Sequence, residues 1–477
     1  MSSTFGALNT AASGLYAAQR GIDVTGQNVS NVNTTGYSRQ RVDLQSVGAS
    51  TVPALWSTSS GVGGGVNSDS VTRIRDSFLE GRAQTEHGNS AQLTAEDAAY
   101  TQVQQAFGEP GTTGISAQLT DTWSAWGDVH SSPGSATDTA ARSALLTTTQ
   151  TLVDGLHTAS AALSSQWDQA RTNASALVDD VNSAVGTIAD LNQAIVRGTQ
   201  SGTPVNELSD KRDALVMQLA EQIGATSSPG EAGAVSVSVG GLTLVSGSTT
   251  TKIALAGPTS MSGLSSTSTS PTTGTARIVS AVTSATVSVG GTAAGDLTAM
   301  NTIIPGYRSQ LDGVAQSIAT QVNAQQAEGY DVAGAAGTDM FTSATGTITA
   351  ASITLAFTDP GKVAASSVGL DSAGKPQVNG GNADAMAQLG TATTSPDSTY
   401  RAMITQLGVQ AASVSRSLDI QTTVTSQVDD DRESVSGVDI DEEMTNMLSY
   451  QHAYAAAGKL ISAINDDLDV LMNMVGN

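Results

Sequence analysis

The chain has no cysteine at all in 477 residues. That excludes disulfides, thiolate nucleophiles and Cys-ligated metal sites together. Basic residues are scarce: 20 Lys+Arg stand against 43 Asp+Glu, a net charge of −23. Nucleic acid and anionic membrane surfaces both demand clustered positive charge, so neither is an expected partner. Aromatics make up only 4 %, which leaves packing to Ala, Leu, Val, Ile and Met. No apolar run approaches the roughly 18 residues of a membrane-spanning helix. Residues 1–19 hold no Lys or Arg and no apolar core of the kind a secretory signal needs.

The four histidines, His87, His130, His157 and His452, form no H-x-x-x-H spacing and are read as surface or boundary residues. The run Gly61–Gly65 lacks the following Lys-Ser/Thr of a phosphate loop and is read as a turn. Asp429, Asp430 and Asp431 are consecutive, so a helix would point them in different directions and a solvated face is expected. The segment 331–339 lacks the alternating oxygen ligands of a hand-type calcium loop. No Ser/His/Asp constellation stands out. The expectation is a non-enzyme with no cofactor, no metal and no catalytic residue.

What is present is helical periodicity, strongest at the two ends. Phe5, Leu8, Ala12, Leu15, Gln19, Ile22, Gly26 and Val29 recur at 3,4 spacing. Gly14, Gly21 and Gly26 interrupt this stretch, each costing about 1 kcal/mol relative to Ala. Such a helix needs a partner. Met447, Tyr450, Tyr454, Ala457, Ile461, Ile464, Leu468, Leu471 and Val475 supply the matching coiled-coil seam. It follows Asp439, Asp441, Glu442 and Glu443, acids suited to the positive end of a helix dipole. The terminal helices are expected to be disordered in the free monomer and to order on assembly.

In the centre, Leu145, Leu152, Leu156, Leu163, Trp167, Leu177, Val181, Ile188 and Ile195 keep a 3/4 rhythm. The step from Leu163 to Trp167 is a stutter. The span predicts a rod of roughly 75 Å. Further helices are expected across 74–107, 115–129, 207–223, 297–326 and 400–435. Alternating Val235, Val237 and Val239, with Gly240-Gly241 and then Leu242 and Leu244, predict a hairpin. Strands are also expected at 278–289 and 348–357, and a loop at 257–274. The fold class is therefore mainly α with β-rich insertions: a coiled-coil or helical-bundle core formed by the N- and C-terminal segments, with discontinuous outer β domains. Three domains are expected: 1–45 plus 437–477 as terminal core; 46–230, 297–330 and 396–436 as a long-helix bundle; 231–296 plus 331–395 as β-rich insertions.

Short motifs go further. The segment from Gln27 to Arg39, with Asn28, Asn31, Gly36, Tyr37 and Arg39, resembles the signature of axial flagellar proteins of the rod and hook type. The block Asn206–Leu215, containing Asp210, Arg212 and Asp213, resembles a helix motif of the hook-associated protein 1 family. So do Ile304-Pro305-Gly306-Tyr307 and Gly329-Tyr330-Asp331. Ser436, Gly437, Asp441 and Glu442, followed by Tyr450-Gln451, resemble that family's carboxy-terminal entry into the filament core. The resemblance implies a structural subunit of the hook–filament junction, exported without a cleaved signal peptide by the flagellar type III apparatus and located outside the cell. Its implied partners are further copies in a junction ring, the adjacent hook and filament-side axial proteins, and an export chaperone. The terminal helices would lie in the inner core, with the other domains facing outward. Another axial rod or hook subunit, or a secreted coiled-coil-stalked adhesin, is the alternative.

Overall fold

The structure, a computed structural model, describes residues 4–48, 63–135, 138–264 and 274–475. The side chains of Phe5, Leu471 and Val475 fall outside that description, as do 265–273 of the 257–274 loop and part of the Gly61–Gly65 turn. In chain order the helices and strands are α1 Thr4–Ser30, β1 Gln40–Val47, β2 Gly65–Arg73, α2 Ser77–Phe107, α3 Ile115–Ser131, α4 Ala140–Ser201 and α5 Asn206–Ile223. Then come β3 Thr226–Pro229, β4 Val235–Val239, β5 Leu242–Ser246, β6 Thr249–Thr250, β7 Ile253–Ala256, β8 Arg277–Ser280, α6 Gly291–Thr298 and α7 Ile304–Ala327. The chain closes with β9 Phe341–Thr342, β10 Thr354–Leu355, α8 Gly381–Leu389, α9 Pro396–Ser436 and α10 Ile440–Val475. The fold is mainly helical with small sheets, as the periodicity implies.

Two compact units emerge: Met1–Asn89 with Val181–Lys252 and Thr422–Asn477, and Ser90–Asp180 with Ile253–Gln421. The first unit takes in 231–252 of the first β insertion, and the second unit takes in 253–296.

In the first unit, α1 pairs with α10. The Cβ that Gly21 lacks would stand 2.6 Å from the Tyr450 ring, and Asn28 bonds Glu443. As α1 advances from 21 to 28, α10 retreats from 450 to 443, so the helices are antiparallel. The β1–β2 hairpin, antiparallel with a bulge at Asp43/Leu44, lies on α1, where Val66 N–H donates to Ser13 Oγ at 3.2 Å. No strand is expected at 40–73 from the sequence, because the alternation there is short and its two halves are far apart. Strands β3-β4-β5-β6 form an antiparallel sheet. Asn192 of α4 pins it, donating to Val235 O (2.8 Å) and Gly247 O (3.0 Å) and accepting from Val235 N–H.

The second unit holds the larger apolar core, centred on Trp126, Trp167, Leu119, Leu145, Leu152, Leu156, Leu163 and Tyr307. Trp167, at the stutter, is fully buried. Its indole N–H donates to Met300 O at 2.8 Å. Met300 sits in the π-helical turn Ala299–Ile303 between α6 and α7, where the i→i+5 pattern loosens the backbone ladder. That turn divides the single 297–326 helix expected from periodicity.

Two strand expectations are corrected. β8 ends at Ser280, and the chain turns back so that Val287 N–H bonds Ile278 O. In 348–357 only Thr354–Leu355 is strand. There Asp312 accepts from Ala350 N–H and Ser352 Oγ from Thr349 N–H, so side chains take donors that a ladder needs.

Candidate functional site at the joined chain ends

The turn after α1 is a hydrogen-bonded junction. Asn28 is 1 % exposed. It donates to Gln40 O at 2.8 Å and to Glu443 Oε2 at 3.0 Å. It accepts from Tyr37 Oη–H at 2.9 Å and from Gln40 N–H at 3.0 Å. Every bond an asparagine side chain offers in a buried place is thus made, and none could be kept by an apolar residue of the same size. Asn31 closes α1, its backbone and side-chain amides both donating to Gln27 O. Gly36 takes φ +81°, a left-handed conformation that side chains resist.

Arg39 ties the two ends together. Its Nε donates to Glu443 Oε1 at 2.7 Å, and its Nη atoms donate to Glu442 at 2.8 and 3.0 Å. Its backbone N–H donates to Ser436 O. The Glu442 hydrogen bond, against the opposing effect of burial, raises the Arg39 guanidinium above its ordinary value. Burial, with Asp210, Glu443 and Glu207 nearby, pushes the Tyr37 phenol up to about 12. At the start of α10, Asp439 accepts from Asp441 and Glu442 N–H groups as an N-cap. Gly437 lies so close to Glu433 O that an added Cβ would sit 2.4 Å from it.

The α5 motif meets this junction. Ser38 N–H approaches Asp210 at 3.4 Å, and Asn206 donates to Gln40 Oε1 and Val71 O. Arg73 bonds both Asp210 and Asp213 at 2.8 Å. Asp213 also receives Arg75 and, at 2.8 Å, Arg212. Burial pushes the Asp213 carboxyl up, but the three guanidiniums outweigh it and hold it below the usual carboxylate range. Arg212 is 5 % exposed at its side chain and also donates to Gly233 O. From Arg75 the chain of pairs runs to Glu80, then Arg432, then Asp429, then His87, which stands between Asp429 and Glu221. Asp429 therefore does not belong to a merely solvated face.

The remaining residues of the two heptads divide. On α10, Ile464 is buried, Met447, Tyr450, Ile461 and Leu468 are half-buried, and Tyr454 is 41 % exposed. On α1 the expected row is not the buried one. Leu8, Leu15, Ile22 and Val29 are only half-buried, whereas Ala11, Ala18, Gly21, Thr25 and Asn28, one residue earlier, are buried. The small row wins because a close helix approach, with Tyr450 lying on Gly21, needs short side chains. Asp441 and Gln451 are exposed. Sequence reasoning missed Arg73, Arg75, Glu80 and Arg432. The signal was the clustering of arginines at 73 and 75 in a chain with so few.

The ends define a class. The family described as "Flagella basal body rod protein" matches residues 8–37, and "Flagellar basal body rod FlgEFG protein C-terminal" matches 431–474. These are the two segments that the junction joins, and they mark a flagellar structural protein of the axial type. The description "Flagellar hook-associated protein FlgK helical domain" matches residues 100–341, just over half of the chain. The chain belongs to the FlgK family of flagellar hook-associated proteins. It is 26 % identical to flagellar hook-associated protein 1 of Bacillus subtilis, covering 100 % of this chain and 99 % of that one. It is 26 % identical to the Escherichia coli protein of the same name, covering 98 % and 99 %. The solved structure of the flagellar hook junction protein FlgK from Burkholderia pseudomallei shares the fold, with a TM-score of 0.60 at 18 % identity over 76 % of this chain and 100 % of that one. No helix among the described residues is long and apolar enough to cross a membrane.

Proposed function

We propose that this chain is a structural subunit of the hook–filament junction, assembling through its terminal helices with further copies and with the axial proteins on the hook and filament sides. One observation carries the reading. The two chain ends are locked to each other by Asn28, Arg39, Glu442 and Glu443, so the α1–α10 pair is a built unit, yet apolar residues on both helices stay uncovered. Under this reading 1–45 plus 437–477 form the assembling core; 46–230, 297–330 and 396–436 the helical body; and 231–296 plus 331–395 the insertions. The subunit works outside the cell, reaches its place through the flagellar type III apparatus with a dedicated chaperone, and catalyses nothing.

Electron microscopy of flagella from cells lacking the gene tests this. Hooks without filaments, with flagellin lost to the medium, are expected. Normal filaments on such cells overturn the assignment.

A further inference from the structure

Two buried polar atoms that lack a partner meet at one place in the second unit. Arg142 stands in the first turn of α4 and Gln326 in the last turn of α7. Both are fully buried. The Arg142 guanidinium donates from Nε to Pro133 O at 3.0 Å and from Nη1 to Val363 O. Its Nη2 has no partner among the described residues. Gln326 donates from Nε2 to Lys362 O at 3.1 Å, and its Oε1 is likewise without a partner among those residues. The Lys362 carbonyl fixes which end of the carboxamide is nitrogen, so the spare atom of Gln326 is an acceptor. An orphan donor and an orphan acceptor are thus held beside the consecutive carbonyls of Lys362 and Val363.

A bare atom of either kind carries the full desolvation cost of a buried polar group. For Arg142 a charge adds to it. Burial pulls the guanidinium below the ordinary arginine value, and the field of Asp331 acts the other way. The bonds that Arg142 makes go to carbonyls, not to a carboxylate. Asp331 spends Oδ1 on the N–H groups of Ala333 and Ala335.

The chemistry of the gap selects its occupant. An anion would suit Nη2 and be repelled by Oε1; a cation would do the reverse. Only a group that both accepts and donates suits the two together. Space is short. A Cβ on Gly337 would stand 1.9 Å from Gln326 O and 2.7 Å from Ala364 Cβ, and one on Gly329 would stand 2.6 Å from Ala364 O. Consecutive residues lie about 3.8 Å apart, and one water spans about 5.5 Å between two partners. Waters buried in this way make roughly two to four bonds and are part of the fold.

We propose that one buried water is bound here, accepting from Arg142 Nη2 and donating to Gln326 Oε1. It joins the start of α4, the end of α7 and the segment 360–364, and so fastens that segment to both helices. Its second hydrogen is free for the Asp331 carboxylate, which turns a lone buried charge into a water-linked pair.

A high-resolution crystal structure of the full-length chain, from crystals soaked in bromide, tests this. A water peak within hydrogen-bond distance of both atoms, without a bromide anomalous signal, is expected. A bromide peak there would mean an anion site. An empty gap, or a direct bond from Nη2 to Oε1, would mean that no ligand is held. Each of these overturns the proposal. Urea unfolding of the full-length wild type, Arg142→Met, Gln326→Met and the double variant gives an independent reading in solution. Each single variant should lose midpoint, because it strands the water and the atom opposite. The double variant should lose less than the two singles summed. Losses that simply add would show two uncoupled side chains and overturn the link. If Arg142→Met does not fold, Arg142→Lys takes its place in the cycle.

Discussion

Asp213→Asn is the most direct probe of the ion-pair network. The side chain keeps its volume but loses its charge, and an amide nitrogen replaces one oxygen against the guanidiniums of Arg73, Arg75 and Arg212. Removing one partner of a buried pair costs about 3–5 kcal/mol when the other charge is stranded. Here the loss is smaller. Arg73 keeps Asp210, Arg75 keeps Glu80, and only Arg212 is left with a carbonyl alone. About 2–3 kcal/mol is the expected destabilisation. Urea unfolding followed by circular dichroism, with amide exchange of 206–223 to locate the transition, measures it. The pH dependence has a definite sign. The Asp213 carboxyl lies below its usual range in the fold, so its stabilisation is present above about pH 4 and is lost as pH falls through the lower folded value. The gap between wild type and variant should therefore shrink in acid. A loss under about 0.5 kcal/mol at pH 7 would place the network with solvent-screened surface pairs. A gap that ignores pH would show that the cost is steric.

Other outcomes follow from single positions. Gly21→Ala puts a methyl 2.6 Å from the Tyr450 ring and should weaken the α1–α10 pair by about 1–3 kcal/mol; Tyr450→Ala should recover part of that, read in cells by the fraction of hooks that carry filaments. Asn28→Asp keeps both acceptors but sets a carboxylate against Glu443, so filament attachment should fail; unchanged attachment removes Asn28 from the assembling unit. Burial pushes the Asp296 carboxyl up to about 6, so the folded chain loses stability as pH rises from about 4 through 6. Asp296→Asn should stabilise the fold at pH 7 by about 1–2 kcal/mol after allowing for its residual exposure, read as a higher thermal midpoint, and not at pH 3. In the free monomer, strong exchange protection of 4–30 and 445–475 would refute ordering on assembly.

Much of the helical framework was legible before any coordinates. Long 3/4 rhythms have no competing reading, and α4, α5, α9 and α10 fall where they point. The stutter at Leu163–Trp167 marks a residue that becomes fully buried. Strands were harder. The 235–244 hairpin carries clean alternation around Gly-Gly, while β1 and β2 are halves of a hairpin with a long connection and little pattern. In 348–357 the β-rich composition misleads, since hydroxyl and carboxylate side chains capture the backbone donors locally.

The sequence by itself determined the class of the protein and the need of its terminal helices for a partner. Cysteine and catalytic spacings are missing, basic residues are scarce, and period alone makes two heptads that cannot bury themselves. Only the tertiary structure decided which row of α1 turns inward. Periodicity ranks rows by hydrophobicity, but a close helix pair ranks them by size, and with Tyr450 pressed on the backbone at Gly21 the small row wins. The same holds for Arg73, Arg75, Asp213, Glu80, Arg432 and His87. They are far apart along the chain, and nothing in local spacing carries the meeting that folding alone brings about.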